Sequence, residues 1–296
     1  MAITSRPASD TADLLAAGRL QSEAWLAVGP LVATTPGDLE WWYAQGHPAG
    51  LADLLRLWFD DDELVGWSWR SGLDELDWNV APSHRASGVT DEVLAWAVGS
   101  ASEPLKTWAA EYEPRRVRAL ERHGFRRTDE RLTQWLRLLD DGRAIPTPDV
   151  PAGYSLRAVE GDDDVAARVE VHRQAFAPSR LTEEKYRRLM TLPHYRPEHD
   201  FVVVAPDGSF AAFTLAWWDP VGRVGELEPV GTHPHHRRLG LARATNLTAV
   251  QRLADLGARW VQVYSETANA AAESLYASAG FEVLAHHARY VRAAGG

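Results

Sequence analysis

From residue 225 the chain alternates with period two. In Gly225-Glu226-Leu227-Glu228-Pro229-Val230-Gly231-Thr232 this places Glu226, Glu228, Val230 and Thr232 on one face of an extended strand. Two acids therefore project to one side. Pro229 has no N–H for a ladder, so an interior strand here must interrupt its pairing, as at a bulge. The period then changes: Leu241, Ala244, Leu247, Val250 and Ala254 recur at helical spacing and stop at Gly257, a fitting C-terminal cap. Arg259 to Ser265 reads as another strand. Upstream, the pattern predicts a strand over Tyr154 to Val159 and helices over Asp162 to Phe176 and Thr182 to Met190. A hairpin follows over Phe201 to Trp217, turning at Pro206-Asp207-Gly208-Ser209. His286 and His287 fall in the last strand, where alternation turns at most one of them inward.

Asp140 to Gly153 breaks both periods, and Pro146, Pro148 and Pro151 make it a semi-rigid connector. The expected division is a domain over residues 1–140, a linker over 141–153 and a domain over 154–296. In the first half, Leu51 to Trp69 reads as a hairpin turning at Asp60-Asp61-Asp62, and Leu76 to Val80 as a strand. Then come Pro82-Ser83-His84-Arg85-Ala86-Ser87-Gly88-Val89-Thr90, a helix (Asp91 to Val98), a strand (Leu105 to Glu111), a helix (Arg115 to His123) and Gly124-Phe125. The second half repeats this order, with Pro82, Arg85 and Gly88 in register with Pro234, Arg237 and Gly240.

Composition narrows the class. A chain of 296 residues exceeds the usual single-domain size, and 45 % hydrophobic content can form two sizeable cores. The expected location is cytoplasmic: Met1 to Asp10 is polar, unlike a secretory signal, and no apolar run approaches membrane-spanning length. With no cysteine, disulfides, a thiol nucleophile and thiolate metal ligands are excluded. A net charge of −10 argues against nucleic acid or an anionic membrane as partner and suits a cationic acceptor. The first half holds ten of the thirteen tryptophans, which fit a Trp-rich core or an aromatic-lined pocket.

The candidate chemistry lies where strand meets helix. In Pro234-His235-His236-Arg237-Arg238-Leu239-Gly240-Leu241-Ala242-Arg243 a short loop enters a helix whose first-turn N–H groups have no intrahelical partner and can bind an anion. Gly240 and Ala242 let a phosphate approach the backbone, while Arg237 and Arg238 add charge and directed donors. His233, His235 and His236 crowd the same turn, but their spacing makes no convincing metal site.

Arg237-x-x-Gly240-x-Ala242, followed by helix, strand, Asn269 and Leu275-Tyr276-x-x-x-Gly280-Phe281, resembles the two signature segments of the GNAT superfamily of acyl-CoA-dependent N-acyltransferases. The resemblance implies an α/β (mixed α+β) architecture of two GNAT domains in tandem, each a mostly antiparallel mixed sheet flanked by helices. The plan is similar to that of mycothiol synthases, which pair a degenerate first half with an intact second half. It implies acetyl-CoA as the acyl-donor substrate, no metal, a small amine acceptor, and a monomer or homodimer.

By the same resemblance, backbone N–H groups near Val230 and Thr232 hold pantetheine, residues Arg237 to Arg243 (Arg238, Leu239, Gly240, Leu241 and Ala242 between them) hold the pyrophosphate, and Asn269 contacts CoA. Tyr276 supplies a proton to, or hydrogen-bonds, the departing thiolate. Glu226 or Glu228, about 7 Å apart on an ideal strand, serves as base while the other anchors a cationic substrate. The first half departs from the pattern: Leu120 stands opposite Tyr276, Glu113 opposite Asn269, and Thr90 replaces Ala242. It is read as catalytically degenerate, a scaffold, acceptor-site wall or vestigial CoA site. Three readings follow: an N-acetyltransferase of a small amine; an enzyme acting on a protein or peptide amine or carrying a longer acyl chain; and a non-catalytic CoA-binding sensor or interaction protein.

Overall fold

The computed structural model describes residues 3–46, 50–72 and 74–294. The first half runs β1 (Ile3–Pro7), α1 (Thr11–Val28), α2 (Pro36–Gln45), α3 (Leu51–Leu54), β2 (Leu55–Asp60), β3 (Glu63–Ser71), β4 (Glu75–Val80), α4 (Val89–Gly99), β5 (Leu105–Ala110), α5 (Pro114–Arg122) and β6 (Arg126–Leu138). The second runs β7 (Ser155–Ala158), α6 (Val165–Ala175), α7 (Glu183–Met190), β8 (Asp200–Val204), β9 (Phe210–Asp219), β10 (Val224–Thr232), α8 (Leu241–Asp255), β11 (Trp260–Glu266), α9 (Ala270–Ser278) and β12 (Glu282–Arg292). No helix among the described residues is long and apolar enough to cross a membrane.

The chain forms two compact units that depart from chain order at their edges. Unit 1 comprises Met1–Gln134, Glu266–Ala268 and Leu284–Gly296; unit 2 comprises Trp135–Ser265 and Asn269–Val283. The segment 141–153 groups with unit 2 and carries neither helix nor strand. Each unit holds a mixed, mostly antiparallel sheet. In unit 1 the strands lie in the order β1-β2-β3-β4-β5-β12, with β4 and β5 the parallel pair and β12 antiparallel to β5 through His287↔Ala110 to Arg292↔Leu105. In unit 2 the order is β11-β10-β9-β8-β7, with the end of β6 from Trp135 beside β11 and with β10 and β11 the parallel pair. Both architectures are the mixed sheet-and-helix plan expected.

Local differences from the sequence pattern have clear causes. Leu51–Leu54 is a helical turn and not the start of a strand, because Asp53 N donates to Gly50 O at 3.0 Å and the Leu55 N–H closes on Leu51 O. In α8 the last core position is Leu253 and Ala254 is only half-buried, since 3.6 residues per turn bring Leu253 beneath Leu247 and Val250. His287 is the inward histidine of the last strand, 3 % exposed, and His286 is half-buried. Trp58, Trp67 and Trp69 are fully buried in the cores of unit 1, whereas Trp78 and Trp108 line a cavity there.

Unit 2 is braced by an ion pair no pattern announces. Arg168 of α6 (1 % exposed) donates from Nε to Asp200 Oδ1 at 2.8 Å, and Asp200 is fully buried where β8 begins. Asp200 Oδ2 accepts from Tyr186 Oη of α7 at 2.7 Å, and Tyr195 Oη lies 2.9 Å from Tyr186 Oη. Arg168 also stacks over the Phe213 ring, 4.0 Å from its centre. One carboxylate thus ties both helices preceding the sheet to its interior.

Candidate active site

The site is built on the parting of β10 from β11. They pair in parallel at Val224↔Trp260, Gly225↔Val261 and Glu226↔Gln262, after which the ladder stops although both strands continue. From Leu227 onward β10 makes no ladder with β11. On its other edge β10 pairs with β9, but the register shifts between Leu227↔Ala216 and Val230↔Thr214: Glu228 and Pro229 on β10 face Leu215 alone on β9. The extra residue is the bulge expected at Pro229, which has no N–H to give.

The bulge corrects the predicted face. Glu226 lies opposite Trp217 and Val230 opposite Thr214, an odd number of residues apart on β9, so Val230 and Thr232 point to the other side of the sheet from Glu226. The face of Thr214 packs on α8, where its hydroxyl meets Thr245 Oγ1 and Asn246 Oδ1 at 2.7 Å each. Gly231 shares the α6 face with Phe213, so tightly that an added Cβ would run into the Phe213 ring and come within 2.9 Å of Ala175 Cβ. Gly231→Ala is expected to cost about 1–3 kcal/mol by overpacking; a denaturant midpoint unchanged from wild type would show that Phe213 yields.

The two acids meet despite the irregular strand. Glu226 is 1 % exposed, Glu228 is half-buried, and a carboxylate oxygen of each lies within 4.8 Å of the other. Trp217 is buried, and its Nε1 donates to Glu228 O at 2.8 Å, holding the bulge from beneath. Trp218 is half-buried, and Asp219 is buried at the turn, accepting from Val221 N at 3.0 Å.

Tyr276 comes from α9 and is 5 % exposed, its ring 6.1 Å from both Trp135 and Phe281. Gly280, at φ +85°, ends the helix and lets Phe281 N donate to Tyr276 O at 3.0 Å, so the Tyr-x-x-x-Gly-Phe spacing is a helix stop that locks the tyrosine in place. Burial, and after it the charge of Glu228, pushes the Tyr276 phenol above its ordinary value. The phenol is therefore protonated throughout the neutral range, the state a proton donor needs.

Beyond the bulge the chain makes a single 3-10 turn at Pro234–His236 and enters α8 with Gly240 in the left-handed region at φ 77°. Arg237, Arg238, Leu239 and Gly240 are all exposed, Arg238 at φ 67°. No side chain caps α8, so the N–H groups of its first turn, from Leu241 through Ala242 and Arg243, face an open loop. Arg243 donates to Ser278 O at 3.2 Å, tying α8 to α9. His236 Nδ1 meets Tyr154 Oη at 2.9 Å, and His233 accepts from His235 N at 3.2 Å, so these two rings are occupied in shaping the turn. Asn269 is the N-cap of α9, its Oδ1 accepting from Ala272 N at 3.1 Å, a role that sequence reasoning missed although Asn before Ala-Ala-Ala-Glu is a capping signal.

Known proteins match this chain over most of its length. The model of the Acetyltransferase (GNAT) family matches residues 166–281. The mycothiol acetyltransferase of Thermobispora bispora is 29 % identical over 250 residues, covering 80 % of this chain and 82 % of that protein. That of Renibacterium salmoninarum is 30 % identical over 247 residues, covering 79 % and 70 %. A solved tandem GNAT protein from the clavulanic acid biosynthesis pathway superimposes with a TM-score of 0.68 over 100 % of this chain and 99 % of that one, at 16 % identity, a likeness of fold. With relatives this similar along most of both chains, the protein belongs to the GNAT family of acetyltransferases and carries two such folds in tandem.

Proposed function

We propose that unit 2 transfers an acetyl group from acetyl-CoA to a primary amine of a small molecule, by direct attack of the amine on the thioester in a ternary complex. The observation that carries this reading is the parting of β10 from β11 beyond Glu226, leading straight into the uncapped N-terminus of α8. An extended pantetheine arm can add its amides to the edge of β10, and its pyrophosphate then reaches Arg237, Arg238 and the first-turn N–H groups of α8.

A lysine-like acceptor amine has a pKa of about 10.4 and arrives protonated at neutral pH. One carboxylate of the Glu226–Glu228 pair takes the proton, directly or through a water, and the other holds the cationic substrate. The nitrogen bonds to the acetyl carbon, N–H groups at the bulge stabilise the oxyanion, and the C–S bond breaks as Tyr276 protonates the thiolate, while the proton that the new amide nitrogen sheds passes through solvent to restore the phenol. The thioester is already activated, so positioning supplies most of the acceleration. The curated relatives are mycothiol acetyltransferases, which puts an acceptor of the mycothiol class at the head of the candidates.

Acetyl-CoA is expected to raise Tm, and an amine panel headed by that class is expected to release free thiol with at least one member. Arg237→Ala with Arg238→Ala is expected to weaken acetyl-CoA binding at least about tenfold, two charge-assisted contacts being lost. No stabilisation by acetyl-CoA would end the donor assignment; stabilisation without turnover on any amine would turn the reading toward a sensor.

A further inference from the structure

The counterpart gap in unit 1 is filled by protein. β4 and β5 pair at Glu75↔Lys106 and then separate, as β10 and β11 do. With Pro82 set on Pro234 and Gly124 on Gly280, Trp78 takes the place of Val230, Trp108 that of Tyr264, and Arg116 that of Ala272. Where unit 2 has a methyl group, unit 1 has a guanidinium long enough to cross between the strands. Arg116 rises from the first turn of α5 and donates from Nε to Trp108 O on β5 at 3.2 Å and from Nη1 to Trp78 O on β4 at 2.9 Å. Its guanidinium lies 3.4 Å from the centre of the Trp78 ring, and Glu113 Oε2 is 3.9 Å from its Nε. A planar fork held by two carbonyls, an aromatic face and a carboxylate is a fixed strut.

Three neighbouring features agree. Arg85, the counterpart of the exposed Arg237, instead lines the cavity containing Arg116 and Glu113, and burial lowers its pKa. The cavity left around them, about 40 Å³, has room for a few waters and no more. The β3–β4 ladder is unbroken from Gly66↔Val80 to Ser71↔Glu75, without the extra residue that opens β10.

We propose that Arg116 closes the donor gap of unit 1, so that each chain takes up one acyl-CoA, in unit 2. The inference rests on the reading that unit 2 takes acetyl-CoA. The pantetheine arm would need the strand edge whose carbonyls Arg116 occupies, and the pyrophosphate would need Arg85 facing outward.

Titration calorimetry of the full chain with acetyl-CoA is expected to show one site per chain, weakened at least about tenfold in the Arg237→Ala, Arg238→Ala variant. Arg116→Ala, checked for folding by circular dichroism, is expected to show a second, weaker site. Two sites in the wild type, a single site whose affinity the cradle variant leaves unchanged, or an Arg116→Ala protein that folds and still binds one equivalent would each overturn the proposal. Hydrogen exchange on the wild type decides the matter even if Arg116→Ala does not fold: acetyl-CoA should protect residues 226–243 and leave 75–90 and 114–122 unchanged, and protection of the latter segments refutes closure. No binding to the wild type at all would instead refute the donor assignment in unit 2.

Discussion

Tyr276→Phe is expected to lower kcat about 100-fold, the lower end of what a positioned proton donor contributes, while the dissociation constant for acetyl-CoA stays within about twofold. The substitution removes one oxygen and keeps the ring that packs on Trp135 and Phe281, so the fold and the proposed donor groove are preserved. The pH dependence separates a proton donor from a mere packing residue. Burial and Glu228 raise the phenol above its usual value of about 10, so the wild-type rate should rise as the acceptor amine deprotonates and show no alkaline fall up to about pH 9.5. An unchanged kcat in Tyr276→Phe, or a wild-type rate that already falls between pH 8 and 9, would remove Tyr276 from the proton transfer.

Asp200→Ala is expected to destabilise unit 2 by about 3–5 kcal/mol, lowering its Tm by about 6–20 °C. The loss comes mostly from what remains: Arg168 keeps a charge at 1 % exposure with its carboxylate gone, and Tyr186 Oη loses an acceptor at 2.7 Å. Replacing both partners, Arg168→Met with Asp200→Leu, should recover much of that loss, because the desolvation penalty leaves with the charges. Calorimetric unfolding of the single and double variants reads both; a double variant no better than Asp200→Ala would show that the network matters for geometry rather than charge balance.

Much of the site was legible along the chain because its parts are short and local. Gly240 can be read because a helix entered from a left-handed residue favours glycine, and Tyr276-x-x-x-Gly280-Phe281 because a helix stop must follow a fixed number of residues after the residue it locks. Pro229 announced its bulge through the N–H it lacks. What the bulge does to the faces was not legible: strict alternation put Val230 and Thr232 beside Glu226, and one additional residue on β10 turns them to the α8 side. Arg168 and Asp200 escaped for another reason. They are 32 positions apart, and an arginine in a helix followed much later by an aspartate is indistinguishable in sequence from two solvated surface charges.

The sequence by itself determined the tandem plan, the order of strand, cradle and helix in each half, and the contrast between Tyr276 and Leu120, since these depend on periodicity, turn chemistry and a repeat in register. Only the tertiary structure decided the unit to which the residues from Leu284 onward belong, because strand pairing is satisfied by whichever edge lies within reach, here β5. It also decided the fate of the two cradles. Arg85 and Arg237 are the same residue in the same motif, and what separates them is a guanidinium from a distant helix: Arg116 spans the gap in unit 1, while Ala272 is too short to span the one in unit 2.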